Sequence, residues 1–392
     1  MRAATRCVHL GPSDDRYGAI SPPIYQTATF RQPTATEFGE YDYTRSGNPT
    51  RILLERQLAE LEGGNYACAF TSGMAAISAV TRLVKTGEEI IAGDDLYGGT
   101  VRLLDSISNR HGIGVCYVDT SDLHAVTCSL SARTRLILVE SPSNPLFRIS
   151  DIRGLSQVAR GAKVLLAVDN SMLSPIFQQP LSLGADLVIH SATKFLCGHS
   201  DIMAGAVITN DESLGQQIAF TQNAEGAGLS PFDSWLLLRG LKTLALRVER
   251  QSETAAKIAQ FLEIHPHVNR VFHPNLKRHP GYDTHRGQTS GDGAVVSFTT
   301  GDAALSVRIV ENTKLFDVAV SFGSVNSTIS LPCRMSHASI PESLKHRLAP
   351  PSDLVRLSVG IEDAHDLIED LDRALHVAKK SLRRSGLVTV GR

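Results

Sequence analysis

No two of the six cysteines are spaced Cys-x-x-Cys; they stand at positions 7, 68, 116, 128, 197 and 333. That scatter offers neither a zinc site nor a disulfide framework, so a reducing compartment is expected. Also missing is any run of ~18 apolar residues, the length a membrane-crossing helix needs. The N-terminal stretch MRAATRCVHLGPSDDRYGAI lacks the apolar core of a signal peptide. The expectation is a cytoplasmic protein, or a plastid one if a transit peptide preceded Met1. Charge of one sign is not in excess: 39 Lys and Arg stand against 40 Asp and Glu, a formal net charge of −1. That balance excludes the electrostatic footprint of a nucleic-acid or anionic-membrane binder. The one basic run, Lys379 to Arg384, reads as a solvated helix end. A nucleotide P-loop, GxxxxGK[ST], is absent too.

What is present is a long, ordinary globular chain. Its 392 residues exceed one core, and 42% hydrophobic with 20% charged residues is a globular composition. Residues 1–48 are rich in Pro, Gly, Thr and Ser and read as an extended polar arm lying on another surface, such as a second subunit. From 49 to 244 the runs YACAF, EEIIAG, VCYV, RLILVE, VLLAVDN, ADLVIHSA and AGAVIT read as strands apolar on both faces. Helical stretches separate them, among them PTRILLERQLAELEGG and SGMAAISAVTRLVKTG, each expected to close on glycine. That alternation predicts a mainly parallel sheet covered on both sides. Residues 245–392 open with an amphipathic helix and continue with mixed strands and a last helix, a smaller α+β domain.

Lys194 follows a buried strand in ADLVIHSATKFLCGHSD. A cation there is costly unless paired or chemically used, although a lone lysine commonly just snorkels to solvent. Ser191 and Thr193 add hydroxyls in the same turn, suited to a phosphate. Asp169 ends the strand VLLAVD, where open α/β sheets place ligands. It reads either as an acid opposite a ring nitrogen or as the N-cap of a helix beginning just after it. An acid and a lysine at the ends of two strands form the pairing that pyridoxal phosphate (PLP) chemistry uses. In FTSGMAAISAV the backbone N–H groups of Gly73 and Met74 at a helix start make a phosphate cradle. Tyr97, in a Gly-rich loop, is either a half-buried tyrosine or a stacking partner for a flat ring. His190 and His199 read as core or loop histidines, and no metal is expected.

Taken in order, YDYTRSGNPTR, SGMAA, YGG, ESPSNP, VDNS, HSATKF and LVRLSVGIED resemble the Cys/Met-metabolism family of fold-type I PLP enzymes. The family's lysine signature is matched from Asp186 to Ser200, and the likeness covers nearly the whole chain. QNAEGAGLSPFDSW and VSFGSVNSTISLPCRMSHASIP resemble the plant cystathionine β-lyase branch of that family most. The resemblance implies an α/β fold with a mainly parallel seven-stranded sheet, a smaller C-terminal α+β domain and an N-terminal arm. It also implies PLP as cofactor and a homo-oligomer, a tetramer built of dimers. Lys194 then carries PLP as a Schiff base and shuttles the Cα proton. Asp169 pairs with the ring nitrogen and Tyr97 stacks on the ring. Gly73, Met74, Ser191 and Thr193 hold the phosphate, with Tyr43 and Arg45 reaching in from a neighbouring subunit. Arg356, with Asn144 and Ser321, grips the substrate carboxylate, and Arg102 meets its far end.

The implied reaction is β-elimination of L-cystathionine to homocysteine, pyruvate and ammonia, a step of methionine biosynthesis. The alternative is γ-elimination or γ-replacement by a relative. Members acting at Cγ commonly carry a glutamate where this chain has Asn326, and methionine γ-lyases carry a cysteine where it has Gly99. Both departures favour β-elimination. A PLP-binding regulator on a retired scaffold is the reading from another class, and retention of Lys194, Asp169, Tyr97, Tyr43 and Arg356 opposes it.

Overall fold

The computed structural model describes residues 1–9 and 17–388. Seven short segments form the larger sheet: β1 (Tyr66–Phe70), β2 (Glu89–Gly93), β3 (Gly114–Val118), β4 (Thr134–Glu140), β5 (Leu165–Asp169), β6 (Leu187–His190) and β7 (Gly205–Thr209). They lie in the order β1-β7-β6-β5-β4-β2-β3. β7 alone runs antiparallel to its neighbours, β1 and β6. The remaining pairs are parallel. Residues 191–204, which carry Lys194 from β6 to β7, contain no crossover helix, so the chain reverses there.

The runs are mainly apolar because the sheet is covered on both faces. Leu136 and Leu138 of β4 pack with Ile90 in one cluster, while Ile137 and Val139 pack with Ile91, Leu166 and Val168 in another. Each such fully buried aliphatic side chain contributes ~1.5–3 kcal/mol. The Pro49–Glu62 helix starts on the Asn48 cap with proline at its first position and ends on Gly63 at φ 71°, as its sequence predicts. The Gly73–Thr81 helix starts on the Ser72 cap but stops short of Gly87, the glycine at which its closure is expected. Leu83 and Val84 bond three residues back, to Val80 and Thr81, and this tighter turn ends the α-helix early.

Behind this sheet lies a smaller unit. β8 (Arg270–Phe272), β9 (Val295–Thr299), β10 (Asp317–Val318), β11 (Thr328–Ser330) and β12 (Leu354–Ser358) pair in the order β10-β11-β12-β9-β8. The Leu244–Glu263 helix lays Ala255, Ile258, Ala259 and Leu262 on this sheet's core, at the i, i+3, i+4, i+7 spacing of one helical face. The Ala364–Val388 helix adds Leu367, Leu371, Ala374 and Leu375. Lys379 and Lys380 lie on its last turns, while the side chains of Arg383 and Arg384, the end of the basic run, lie outside the described residues.

The arm departs from an unstructured reading at its start. Ala3–Val8 is helical, with Cys7 buried and the Arg6 guanidinium donating to the Glu60 carbonyl at 3.0 Å. Further on, Thr29 and Tyr43 form an antiparallel bridge, and the Trp235 indole donates to the Pro22 carbonyl at 2.9 Å. Among the described residues no helix is long and apolar enough to cross a membrane.

Candidate active site

The strands β1, β2, β4, β5 and β6 deliver their carboxyl ends to one edge of the sheet, and the predicted residues gather there. Asp169 closes β5 in register with Glu140, which closes β4. The Asp169 Oδ1 accepts from the Ser171 N–H at 2.9 Å, and the Ser171 hydroxyl accepts from the Ser191 N–H at 2.6 Å. This short chain of bonds ties the end of β5 to the turn that presents Lys194.

After β1, the chain turns at Ser72 into the Gly73–Thr81 helix, whose start is pressed onto that same turn. A Cβ on Gly73 would stand 2.8 Å from the Ser191 Cβ, so only glycine lets the helix N-terminus approach this closely. Ser191 therefore sits under the N–H groups of the first helical turn, a ready site for an anion. Thr193 is already engaged, since its hydroxyl donates to the Ala204 carbonyl at 3.2 Å and accepts from the Ala204 N–H at 2.9 Å. Across the site, a Cβ on Gly99 would meet the Tyr97 ring at 2.4 Å and the Met74 sulfur at 3.0 Å. Gly99 thus allows Tyr97 and Met74 to lie together, and a cysteine at this position would collide with them.

Lys194 stands at the centre of the arrangement. Its Nζ donates to the Ser321 hydroxyl at 2.5 Å and lies 5.1 Å from the centre of the Phe322 ring. Burial, assisted by the positive Arg356, pulls its pKa down to about 8, while Asp169 acts the other way. A lysine so tuned is unprotonated in an appreciable fraction of molecules near neutral pH, which makes it a nucleophile and a base. Asp169 is raised, mainly by burial against the counter-effects of Ser171, His190 and Lys194. Glu140 is raised further by burial and by the neighbouring Asp169.

Arg356 projects from β12 of the smaller unit and is only 2% exposed. Its Nη1 donates to the Asn144 side-chain oxygen and its Nη2 to the Ser321 carbonyl, each at 2.9 Å. Burial lowers its pKa to about 10, with Glu140 and Tyr97 opposing. Among the described residues no carboxylate forms an ion pair with this guanidinium. A buried cation held in place by neutral groups is expensive unless an anion arrives. Beside it, Thr193, Met203, Val320, Ser321 and Phe322 line a cleft of about 440 Å³.

Three predicted site residues, Arg102, Tyr43 and Arg45, stand apart, and two histidines lie where core or loop roles place them. Arg102 is exposed on the Gly98–His111 helix. Arg45 lies over the Tyr43 ring and donates to the Asn223 carbonyl at 3.2 Å, so within one chain this pair faces the end of the Glu212–Glu225 helix. His190 bonds Glu62 at 2.5 Å inside the core, and His199 bonds the Cys197 carbonyl in its loop.

The sequence reading missed Glu140, which lies in ESPSNP and accepts from the Tyr97 N–H at 3.2 Å. It also missed His337, which meets the Tyr97 ring edge-on at 6.5 Å and bonds the Leu96 and Asn144 carbonyls at 3.2 Å each. Both stand in motifs that were recognised, so a strand-end carboxyl and a histidine in SHASIP were the available signals.

The sequence pattern of the family described as "Cys/Met metabolism PLP-dependent enzyme" matches residues 4–376. The chain is 54% identical over 371 residues to the chloroplastic cystathionine beta-lyase of Arabidopsis thaliana, spanning 95% of this chain and 80% of that one. It is 53% identical to the cystathionine beta-lyase of Neurospora crassa, over 95% and 81% of the two chains. The fold superposes with a TM-score of 0.94 on the cystathionine gamma-lyase of Lactobacillus plantarum complexed with L-serine, at 40% identity and 97% and 100% coverage.

Proposed function

Since the chain belongs to the Cys/Met metabolism PLP-dependent enzyme family, we propose that it cleaves L-cystathionine by β-elimination, yielding homocysteine, pyruvate and ammonia. The choice of β- over γ-cleavage rests on the likeness to the β-lyases of A. thaliana and N. crassa. The observation that carries the chemistry is the buried Lys194 amine, with a pKa of about 8, beside a buried Arg356 with which no carboxylate among the described residues forms an ion pair.

The residues fit PLP. A reactive amine matches its aldehyde, and the raised Asp169 carboxyl suits a ring nitrogen bearing a proton. The helix start at Gly73, with Ser191 and the Met74 N–H, suits its phosphate, and Thr193 lies alongside. Tyr97 offers its ring face. Tyr43 and Arg45 face away from the site of their own chain, which supports the reading that they complete the site of a second subunit. When bound, PLP supplies an electron sink for the pair left on the substrate Cα.

The chain's own groups do the rest. Arg356 takes the substrate carboxylate in a two-pronged contact, with Asn144 and the Ser321 carbonyl fixing the plane of its fork. Lys194 Nζ, once released from its covalent task, removes the Cα proton, and Ser321 holds the amine in reach. The proton on Nζ is then available to the leaving thiolate. Cleavage at Cγ also requires loss of a Cβ proton, and the exposed, uncharged Asn326 offers no base for it. Arg102 is assigned to the far end of the substrate.

The proposal includes a homo-oligomer, a tetramer of dimers, and a cytoplasmic or plastid location. In the arm, Ile20 is 98% and Phe38 72% exposed, surfaces that a second subunit would cover. It also includes the division into an arm (1–48), a PLP-binding domain (49–244) and a C-terminal domain (245–392). The test is to supply L-cystathionine to the pure enzyme and identify the oxo acid. Pyruvate is expected, and 2-oxobutyrate as the main product would overturn β-cleavage.

A further inference from the structure

Far along the chain from the strand ends, three imidazoles and a carboxylate converge on the smaller unit. His265 and His267 flank Pro266 in the loop after the Leu244–Glu263 helix. Asp372 and His376 stand four residues apart, on one face of the Ala364–Val388 helix. The ring centres lie 5.4 Å apart for His265 and His267, 5.5 Å for His265 and His376, and 5.6 Å for His267 and His376. The rings meet at 67–85°, edge towards face. One donor atom from each of His265, Asp372 and His376 lies within 4.8 Å of the others.

Two features distinguish this group from a solvated patch of charge. His265 is only 6% exposed, yet its Nε2 meets no well-aligned hydrogen-bond partner, only the Asp372 carboxylate at the edge of bonding range. Buried ring nitrogens are ordinarily paired. The gap from that Nε2 to the Asp372 Oδ1 is 3.4 Å, longer than the ~2.7–2.9 Å of a charge-assisted hydrogen bond. It does match two donors on one tetrahedral ion. With metal–nitrogen bonds of ~2.0–2.1 Å, neighbouring donor atoms fall about 3.3 Å apart and ring centres about 5 Å apart.

The surroundings also prepare the rings. His376 Nδ1 lies 2.9 Å from the Asp372 carbonyl. Donating there leaves Nε2 with its lone pair outward, as metal-bound histidines are usually held.

We propose that His265, Asp372 and His376 bind one divalent late transition-metal ion of the zinc class, with the His267 ring, 5.4 and 5.6 Å from the other two, turning in as the fourth donor. Imidazoles and one carboxylate, with no thiolate, form the N/O set that such ions prefer. With His267 turned in, the donors make a closed, structural site rather than one with a position open for chemistry. The ion would clip the loop after one helix to the last helix, and none of the residues assigned to catalysis lies on either element. Binding at His265 Nε2 places the ring proton on Nδ1 and gives up the long 3.2 Å bond that Nδ1 accepts from the His267 N–H. No motif announces this group, because His-x-His and Asp-x-x-x-His are brought together only by the packing of two distant helices.

The test uses the PLP-loaded full chain, stripped with a chelator and titrated with Zn²⁺, and in parallel with Co²⁺, whose visible bands report tetrahedral coordination. The proposal expects one tight equivalent per chain, tetrahedral Co²⁺ bands and a Zn²⁺-dependent rise in Tm. His376→Ala and Asp372→Asn, both at positions open to solvent, should each weaken Zn²⁺ by about 100-fold or more and abolish the Tm rise. Without the ion, both should keep wild-type Tm and turnover. Equal Zn²⁺ affinity in wild type and both variants, or the lack of a stoichiometric site in wild type, would overturn it.

Discussion

Replacing Arg356 separates the two tasks assigned to it, its fork and its charge. In Arg356→Lys the charge stays, but a single ammonium cannot reach the Asn144 side chain and the Ser321 carbonyl, both now at 2.9 Å, while offering two parallel bonds to a carboxylate. Losing one of two charge-assisted bonds costs ~2 kcal/mol, or about 30-fold in kcat/KM. The loss should fall on KM, because the carboxylate carries the same charge before and during the reaction. In Arg356→Met both bonds and the charge go, and ~3–5 kcal/mol, roughly a hundred- to several-thousand-fold, is expected. Arg356 also helps hold the Lys194 pKa down at about 8. Capture of PLP by the apoprotein needs the unprotonated amine, so in wild type and Arg356→Lys its rate should rise with pH through about 8. In Arg356→Met the same rise should move to higher pH. Steady-state kinetics and the rate of PLP uptake against pH check both halves. An unchanged KM in Arg356→Lys, or superimposable uptake profiles in all three proteins, would refute the assignment.

Lys194→Ala should fold and still bind PLP without a covalent link, yet turnover should be abolished, since anchor and proton carrier vanish together; circular dichroism beside a pyruvate assay checks this. Arg45→Ala should release PLP more readily, by the ~1.5–3 kcal/mol of a charge-assisted phosphate contact, with equilibrium dialysis as the measurement. His273 is fully buried, and burial lowers its pKa to about 4. The unfolded chain takes up that proton at pH ~6.5 and the folded one only at about 4, so stability is complete above ~6.5 and drains as pH falls between the two. At ~1.4 kcal/mol per unit this amounts to roughly 3 kcal/mol. Urea midpoints across pH 7 to 4 should therefore fall, and fall less steeply in His273→Asn.

The larger sheet was legible because its strands are buried mostly on both faces and so written as short, mainly apolar runs. Asp169 and Lys194 were legible for a related reason: a charged residue at or just past the end of such a run lies at the edge of the sheet. The short first helix was not, since Ala3–Val8 is held by the Arg6 bond to Glu60, 54 places away, and by Cys7 packed beside the start of the Leu244–Glu263 helix. The early end of the Gly73–Thr81 helix comes from a local turn that composition does not encode. Glu140 was hidden in a recognised motif because its role is backbone support of Tyr97, which only the pairing of β4 with β5 and β2 reveals. The cluster around His265 depends wholly on packing.

Every step assigned to this site starts from the Lys194 amine, and reductive trapping tests that directly. The enzyme with PLP bound is treated with borohydride, digested and mapped by mass spectrometry. The pyridoxyl group should be found on the peptide containing Lys194 and nowhere else, with turnover lost in proportion to labelling. Stoichiometric label on another lysine, or full activity after Lys194 is labelled, would contradict the account.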